Sequence, residues 1–176
     1  MQTIMPCLWF DAQALEAARF YTSIFPRSKV LDVTRYTDAG PGAAGSVVTV
    51  RFKLDGQDFV ALNGGPGHPF TQAISLSVSC KTQKEVDALW KKLTKGGKPV
   101  ACGWLTDRYG LSWQIVPDAL PKLLASKDAA KASRVMRAMF GMQKLDVAML
   151  ERAAAEGTAK AGAARKSPAS SRRSST

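Results

Sequence analysis

Histidine and cysteine are scarce in this 176-residue sequence, which has one histidine, His68, and three cysteines. The cysteines, at positions 7, 80 and 102, are odd in number and have no CxxC spacing. This pattern argues against a disulfide framework and against a zinc-ribbon motif. We therefore expect reduced thiols and a cytoplasmic protein.

Long apolar runs are also missing. The runs present last about five residues, whereas a membrane-spanning helix needs roughly 20. The N-terminal residues MQTIMPCLWFDAQ show no basic start followed by an apolar segment, so we see no export signal. We expect no membrane partner.

Acidic residues are few: 14 Asp and Glu stand against 25 Lys and Arg, for a net charge of +11. Residues 157–176 contain five basic side chains and no acidic one. Because this segment has almost nothing apolar to bury, we interpret it as a disordered solubilising tail. Such a tail touches anionic surfaces non-specifically, and we expect no specific nucleic-acid partner. A DNA-associated protein acting through the tail is the alternative.

The first half of the chain predicts a strand, a helix and three strands. Ile4 to Phe10 is typical of a strand, and Asp11 suits the N-cap of an amphipathic helix that ends at Pro26. Lys29 to Thr37 predicts the second strand. The alternation from Ser46 to Leu54, followed by Asp55-Gly56 and QDFVALN, predicts a tight hairpin.

The same order begins again after GGPGHP. Ala73 to Cys80 alternates apolar and serine residues, and the capping box T-Q-K-E at 82–85 opens a helix. Pro99 to Leu105 and LSWQIVP predict further strands. The repeat indicates an α+β fold with two βαβββ modules, residues 1–63 and 64–117, whose curved sheets form a cup. A ferredoxin-like pair fits less well, because three antiparallel strands follow each helix.

Amphipathic stretches at 118–126, 128–140 and 145–156 predict a C-terminal helical extension, residues 118–156. Its methionines, at 136, 139, 142 and 149, are typical of gap-filling packing residues. With the tail at 157–176, this gives four segments.

Three segments carry a family resemblance: PCLWFDAQALEAARFYTSIF, FVALNGGPGHPFTQAISLSVSCKTQKEVDALW and CGWLTDRYGLSWQIVP, together with RVMRAMFGMQKLDVAMLERA. The sequence resembles the PhnB-like branch of the vicinal oxygen chelate superfamily, which includes glyoxalases and bleomycin-resistance proteins. The resemblance implies paired βαβββ modules forming a cupped sheet, usually in dimers. This branch is often labelled 3-demethylubiquinone-9 3-methyltransferase.

Catalytic members of that superfamily bind a metal ion at four strand positions, which the resemblance carries onto Met5, Val60, Ala73 and Gln114. A divalent ion needs about three imidazole or carboxylate ligands. Of these four residues only Gln114 offers an amide oxygen, and a shift of one residue does not improve the set. We expect no metal and no other cofactor. The glycine-rich stretch from Gly64 to Gly67 lies between two predicted strands and not before a helix, so a nucleotide-type site is weakly supported.

Strand alternation predicts which side chains line the cleft. If Ile74, Leu76 and Val78 pack under the helices, the serines between them face the cleft, although these serines could equally face water. The predicted cleft-lining residues are Met5, Cys7, Trp9, Val60, Ala73, Ser75, Ser77, Ser112 and Gln114.

Acid–base candidates are few. We interpret His68 as a solvated residue in a loop. We interpret Asp107-Arg108 as a structural turn, with gating of the cleft or a dimer contact as the alternative. Cys7 has no visible base to activate it as a nucleophile.

The functional hypothesis is a metal-free module that binds a small, partly apolar ligand. The alternative is an enzyme of unknown substrate (a lyase, isomerase or transferase, including the methyltransferase of the label) that acts in the same cleft and uses Gln114, Cys7 or a metal held elsewhere.

Overall fold

The computed structural model describes the backbone of residues 4–163 and the side chains of residues 4–156. Thirteen elements follow in chain order. The first module contains β1 (Cys7–Phe10), α1 (Ala14–Ile24), β2 (Lys29–Arg35), β3 (Val47–Leu54) and β4 (Gln57–Asn63). The second contains β5 (Ser75–Cys80), α2 (Gln83–Leu93), β6 (Lys98–Pro99), β7 (Trp104–Thr106) and β8 (Ser112–Pro117). The extension contains α3 (Ala119–Leu124), α4 (Ala129–Phe140) and α5 (Val147–Ala163).

Each module forms one four-stranded sheet, and the two sheets repeat the same topology. The strand orders are β1-β4-β3-β2 and β5-β8-β7-β6. In each sheet the first strand pairs parallel with the last, and the other neighbours are antiparallel. The predicted α+β fold with two βαβββ modules is confirmed.

The hairpin between β3 and β4 forms as its alternation indicates. Asp55 and Gly56 both have positive φ, 44° and 92°, as a two-residue turn of this class requires. Val50, Phe52 and Leu54 are buried on one face of β3, while Arg51 on the other is exposed. The core face of the first sheet therefore lies where the sequence places it.

The start of α1 differs from the prediction. Asp11 is not its N-cap; the helix begins at Ala14, with Gln13 at the cap position. The amide of Ala14 donates to Oδ1 of Asn63, 49 residues further along the chain, over 2.8 Å. A long-range side chain thus caps the helix terminus, and local sequence does not reveal such a partner.

The strand predicted from Pro99 to Leu105 is also wrong, because it is two short strands. Cys102 and Gly103 both have positive φ, 58° and 83°, and this turn separates β6 from β7. The amides of Cys102 and Gly103 donate to the carbonyls of Met142 and Gln143 in the extension. The contact with the extension therefore holds the turn that ends β6.

The core has two parts. The larger cluster combines both modules and includes Tyr21, Phe52, Leu93, Trp113 and Ile115. A second cluster of Leu120, Val135, Leu145 and Leu150 lies inside the extension. The extension therefore has its own small core, packed against the second module.

Helix α5 runs seven residues into the segment predicted to be disordered from residue 157, and ends at Ala163. Alanine is the strongest helix former, and Ala159, Ala161 and Ala163 favour this continuation. Residues 164–176 lie outside the described part of the chain. Among residues 4–163, no helix is both long and apolar enough to cross a membrane.

Candidate functional site

Three of the predicted cleft residues, Cys7, Trp9 and Val60, lie on the outward face of the first sheet, which is the face turned away from the core. Leu8 and Phe10 are buried in the core, so Cys7 and Trp9 point the other way from β1. Cys7 lies directly opposite Val60 in the parallel pair of β1 and β4. Met5 is half-buried just before β1.

The outward face of the second sheet carries the predicted polar residues. Ser75 lies opposite Ser112, and Ser77 lies opposite Gln114. Nε2 of Gln114 donates to Oγ of Ser75 over 2.9 Å, which fixes the orientation of the amide. Ser112 is buried, and its Oγ has no hydrogen-bond partner among the described residues. Ala73 is exposed and precedes β5.

Ile74 does not pack under a helix as predicted, because it is 58% exposed. The strand begins one residue later, at Ser75, so Ile74 lies outside the sheet register. Leu76 and Val78 do pack against the main core.

Gln114 lines a pocket of about 540 Å³ on the outward face of the second sheet. We call it the Gln114 pocket. Trp104, opposite Gln114 in the β7–β8 pair, forms one wall. Leu120 of α3 and Met139 and Phe140 of α4 form another, so the extension covers this face of the sheet. The complete lining is Gln72, Val100, Ala101, Cys102, Trp104, Gln114, Val116, Leu120, Met139 and Phe140.

The other predicted residues lie elsewhere. Ser75 and Ser77 line a groove of about 380 Å³ along β5, whose other side is formed by Phe25 and the β3–β4 turn. Trp9 lines a separate pocket beside the 65–70 loop. The structure therefore brings Gln114, Ser75, Ser77 and Ser112 together on one sheet. It places Cys7, Trp9 and Val60 on the other sheet, with Met5 just before β1.

Sequence reasoning missed Gln72, Trp104, Met139 and Phe140 as lining residues. Trp104 could have been found, because the hairpin register places it on the same face as Gln114. The contribution of α3 and α4 could not, since no local pattern shows that they cross the outward face of the second sheet.

The four positions to which the resemblance assigns metal ligands do not fit a cation. Met5, Val60, Ala73 and Gln114 supply one amide oxygen between them. Val60 and Gln114 lie in different sheets, and Met5 and Ala73 precede β1 and β5. Among the described residues, no three His, Cys, Asp or Glu side chains come together in a group able to hold a metal ion. Divalent metal sites in proteins are built from such side chains.

Asp107 is a buried carboxylate that joins the two modules. Its Oδ2 accepts hydrogen bonds from the hydroxyl of Tyr21 in α1 and from Nε1 of Trp113 in β8, each over 2.8 Å. Its Oδ1 accepts from the amides of Tyr109 and Leu111. Burial raises the pKa of Asp107, and the four donors act against that rise. With every lone-pair direction used inside the core, Asp107 has a structural role.

The remaining titratable candidates have packing partners. The ring of His68 is exposed and meets Trp9 edge-on, with 4.7 Å between ring centroids. The guanidinium of Arg108 lies 4.5 Å from the centre of the Phe20 ring. Burial raises the pKa of the Cys80 thiol to about 11, so this cysteine is a poor nucleophile near neutral pH.

Comparison with known proteins identifies the family. The model of the 3-demethylubiquinone-9 3-methyltransferase family matches residues 2–116. This chain belongs to that family. It is a member of the PhnB-like branch of the vicinal oxygen chelate superfamily, as the resemblance implies.

Two solved structures illustrate the likeness. A PhnB protein from Bacillus cereus is 38% identical, and the match covers 66% of this chain and 99% of that one with a TM-score of 0.60. A protein from Pseudomonas aeruginosa shares the fold at 20% identity, covering 66% of this chain and 98% of that one with a TM-score of 0.55. No curated protein matches the chain.

Proposed function

We propose that this protein binds a small, uncharged and largely apolar molecule in the Gln114 pocket, without a metal ion. The observation that carries the proposal is the lining itself. Among the described residues around this pocket there is no charged side chain, and Trp104, Leu120, Met139 and Phe140 give it apolar walls. A concave, mainly apolar pocket with one or two fixed polar groups is the usual form of a small-molecule site.

Gln114 supplies specificity in this proposal. Its amide nitrogen is held by Ser75, so its carbonyl oxygen is left as an oriented acceptor for a ligand hydroxyl or amine. Gln72 provides a second amide at the rim. A ligand with one or two hydrogen-bonding groups on an apolar body matches these features.

An enzyme acting in the same cleft is the second candidate, and the family name favours it. Methyl transfer needs a bound methyl donor, and a nucleotide-type donor is typically held where a glycine-rich turn opens a helix. Here Gly64 to Gly67 follow β4 and lead to β5. We therefore favour a binding function over a methyltransferase activity.

We also propose a homodimer in a reducing cytoplasm. Strands β1 and β5 lie at the edges of their sheets, and the apolar side chain of Ile74 beside β5 is exposed. A second copy would cover these edges and bring the two outward faces, which lie apart in one chain, into one cleft. The cysteines at 7, 80 and 102 are all free thiols. Light scattering should give twice the chain mass of 18.9 kDa, and a single-chain mass at high micromolar concentration would refute the dimer.

A thermal-shift screen of small uncharged molecules tests the binding proposal. Any ligand that binds the folded state alone raises the melting temperature, and the rise grows with the logarithm of the ligand concentration once that exceeds the Kd. Compounds that stabilise the wild type should lose their effect on Gln114→Leu and keep it on Gln57→Leu, the same substitution in the β5 groove. If no compound stabilises the wild type at millimolar concentration, or if Gln57→Leu abolishes the effect instead, the assigned site is wrong.

A further inference from the structure

The helical extension carries a surface that lies beyond the part of the chain matched by the family model. The family model ends at residue 116, and the Bacillus cereus structure covers 66% of this chain while using 99% of its own. The extension beyond it has its own core around Val135, Leu145 and Leu150. The extension therefore walls the Gln114 pocket on one side and adds surface of its own beyond the two modules.

The basic charge of the chain is concentrated in this part. Residues 118–176 contain twelve Lys and Arg and five Asp and Glu, which gives +7 of the total +11. The two modules together, which make up two thirds of the chain, carry the remaining +4.

Helices α4 and α5 form a groove of about 500 Å³ lined by three arginines. We call it the basic groove. Arg134 and Arg137 come from α4 and Arg152 from α5, while Ala138 and Ala153 leave room between them. Glu156 is the single acidic side chain among the described residues that line it.

The geometry leaves these arginines available to an anion. Arg134 is fixed by hydrogen bonds from Nε and Nη2 to the carbonyls of Ala153 and Ala154, each over 3.0 Å, so its guanidinium is held against α5 without losing its charge. The three ion pairs among the described side chains involve other residues. Three arginines thus line one groove in which Glu156 is the single acid among the described lining residues.

We propose that the basic groove binds the phosphate backbone of double-stranded nucleic acid without reading its sequence. Guanidinium groups match phosphate oxygens in a two-pronged geometry, which makes arginine well suited to this contact. The groove lining contains no aromatic side chain in the described residues, so it offers no platform for stacking unpaired bases. A duplex backbone is therefore the better match.

The sequence after Glu156 is also basic. Immediately after Glu156, residues 157–176 add Lys160, Arg165, Lys166, Arg172 and Arg173 with no acid. The same 20 residues contain no aromatic and no large aliphatic side chain. Attachment to an anionic membrane normally combines basic residues with several such apolar anchors. Among the described residues, the groove lining offers one exposed apolar side chain, Met149, and residues 157–176 add none, so the composition favours nucleic acid.

Fluorescence anisotropy of a labelled 20-base-pair duplex, titrated with the full chain between 50 and 200 mM NaCl, tests the proposal. The variant is Arg137→Gln/Arg152→Gln, since both side chains are exposed. The matched control is Lys91→Gln/Lys92→Gln, which removes the same charge from the exposed end of α2. Each lost phosphate contact lowers the slope of log affinity against log salt by about 0.9. We expect the groove variant to lose about 2 in slope and the control to keep the wild-type slope.

Three results would overturn the proposal. Absence of duplex binding by the wild type at 50 mM NaCl is the first. Equal losses in both double variants would show an effect of net charge and not of the groove. Binding to phosphatidylserine vesicles that depends on Arg137 and Arg152, with no such dependence for the duplex, would assign the groove to a membrane surface.

Discussion

Asp107 shows how one side chain holds two modules together. Its carboxylate accepts hydrogen bonds from a tyrosine hydroxyl of the first module, from an indole N–H of the second module and from two backbone amides of its own turn. A buried carboxylate is stable in a protein core only when its acceptor sites are satisfied, and here they are. The sequence presented Asp107 and Arg108 as a tight turn; the partner Tyr21, 86 residues away, could not be read from local pattern.

Replacing Asp107 by asparagine should lower the free energy of unfolding by about 2 kcal/mol. The NH2 group of the asparagine would be placed against an N–H donor, because Nε1 of Trp113 and the amides of Tyr109 and Leu111 hold fixed positions around the side chain. Chemical denaturation measures the change. Asp38→Asn, at an exposed position, is the control and should change little. Equal stability of Asp107→Asn and wild type would contradict the role of Asp107 in joining the two modules.

Cys80 gives a pH prediction at the same scale. Its pKa is raised from 9.0 to about 11, first by burial and then by the nearby charges of Glu85 and Asp118. A group whose pKa is higher in the folded state contributes stability that is fully present below its unfolded pKa and is lost as the pH rises through its folded pKa. The stability contributed by Cys80 is therefore present below pH 9 and lost towards pH 11.

Denaturation of the wild type between pH 8 and 11 should show a loss of about 1–2 kcal/mol from this thiol, because solvent screening reduces the full 1.36 kcal/mol for each pKa unit. Cys80→Ser removes the titrating group and should flatten that part of the profile. Cys7→Ala, at an exposed position, should leave the profile unchanged. Tyr21, whose pKa is also raised by burial and by Asp107, adds a further loss above pH 10 that both variants keep. An unchanged profile in Cys80→Ser would contradict the assignment.

The elements were largely predictable where their causes are local. The Asp55-Gly56 hairpin and the Thr82 cap of α2 follow from turn and capping chemistry within a few residues. The cap of α1 by Asn63 and the break between β6 and β7 depend on partners far away in the chain. The same holds for the candidate site, whose Gln114 was predicted and whose walls from α3 and α4 were not.

Gly97 sets how closely α2 approaches the turn that carries Asp107. A β-carbon at Gly97 would lie 2.1 Å from the carbonyl oxygen of Thr106 and 2.8 Å from the backbone of Asp107. Gly97→Ala should therefore push the two segments apart and cost about 1–3 kcal/mol, the usual range for overpacking.

Gly141 is the matched position for this prediction. It also follows a helix, but a β-carbon there would meet its nearest neighbour at 3.5 Å, which is ordinary contact. Thermal unfolding should show a clear drop in melting temperature for Gly97→Ala and little change for Gly141→Ala. The reverse order would show that the close approach at Gly97 does not constrain the fold.

The whole molecule combines two repeated modules with an added helical layer. The modules share one core, and the extension closes the outward face of the second sheet to make the Gln114 pocket. The sequence repeat predicted the modules, because each one has its own element order. It could not predict that Trp9 and Gln114, from the outward faces of the two sheets, line separate pockets in one chain, because that depends on how the finished modules pack.

Stabilisation by a ligand in the presence of a chelator tests the central claim most directly. A compound that raises the melting temperature of the wild type should do so equally with and without millimolar EDTA, and should fail with Gln114→Leu under both conditions. This outcome would support a pocket that works through an amide and apolar walls. A shift that disappears with EDTA and returns with added zinc, nickel or manganese would contradict the account.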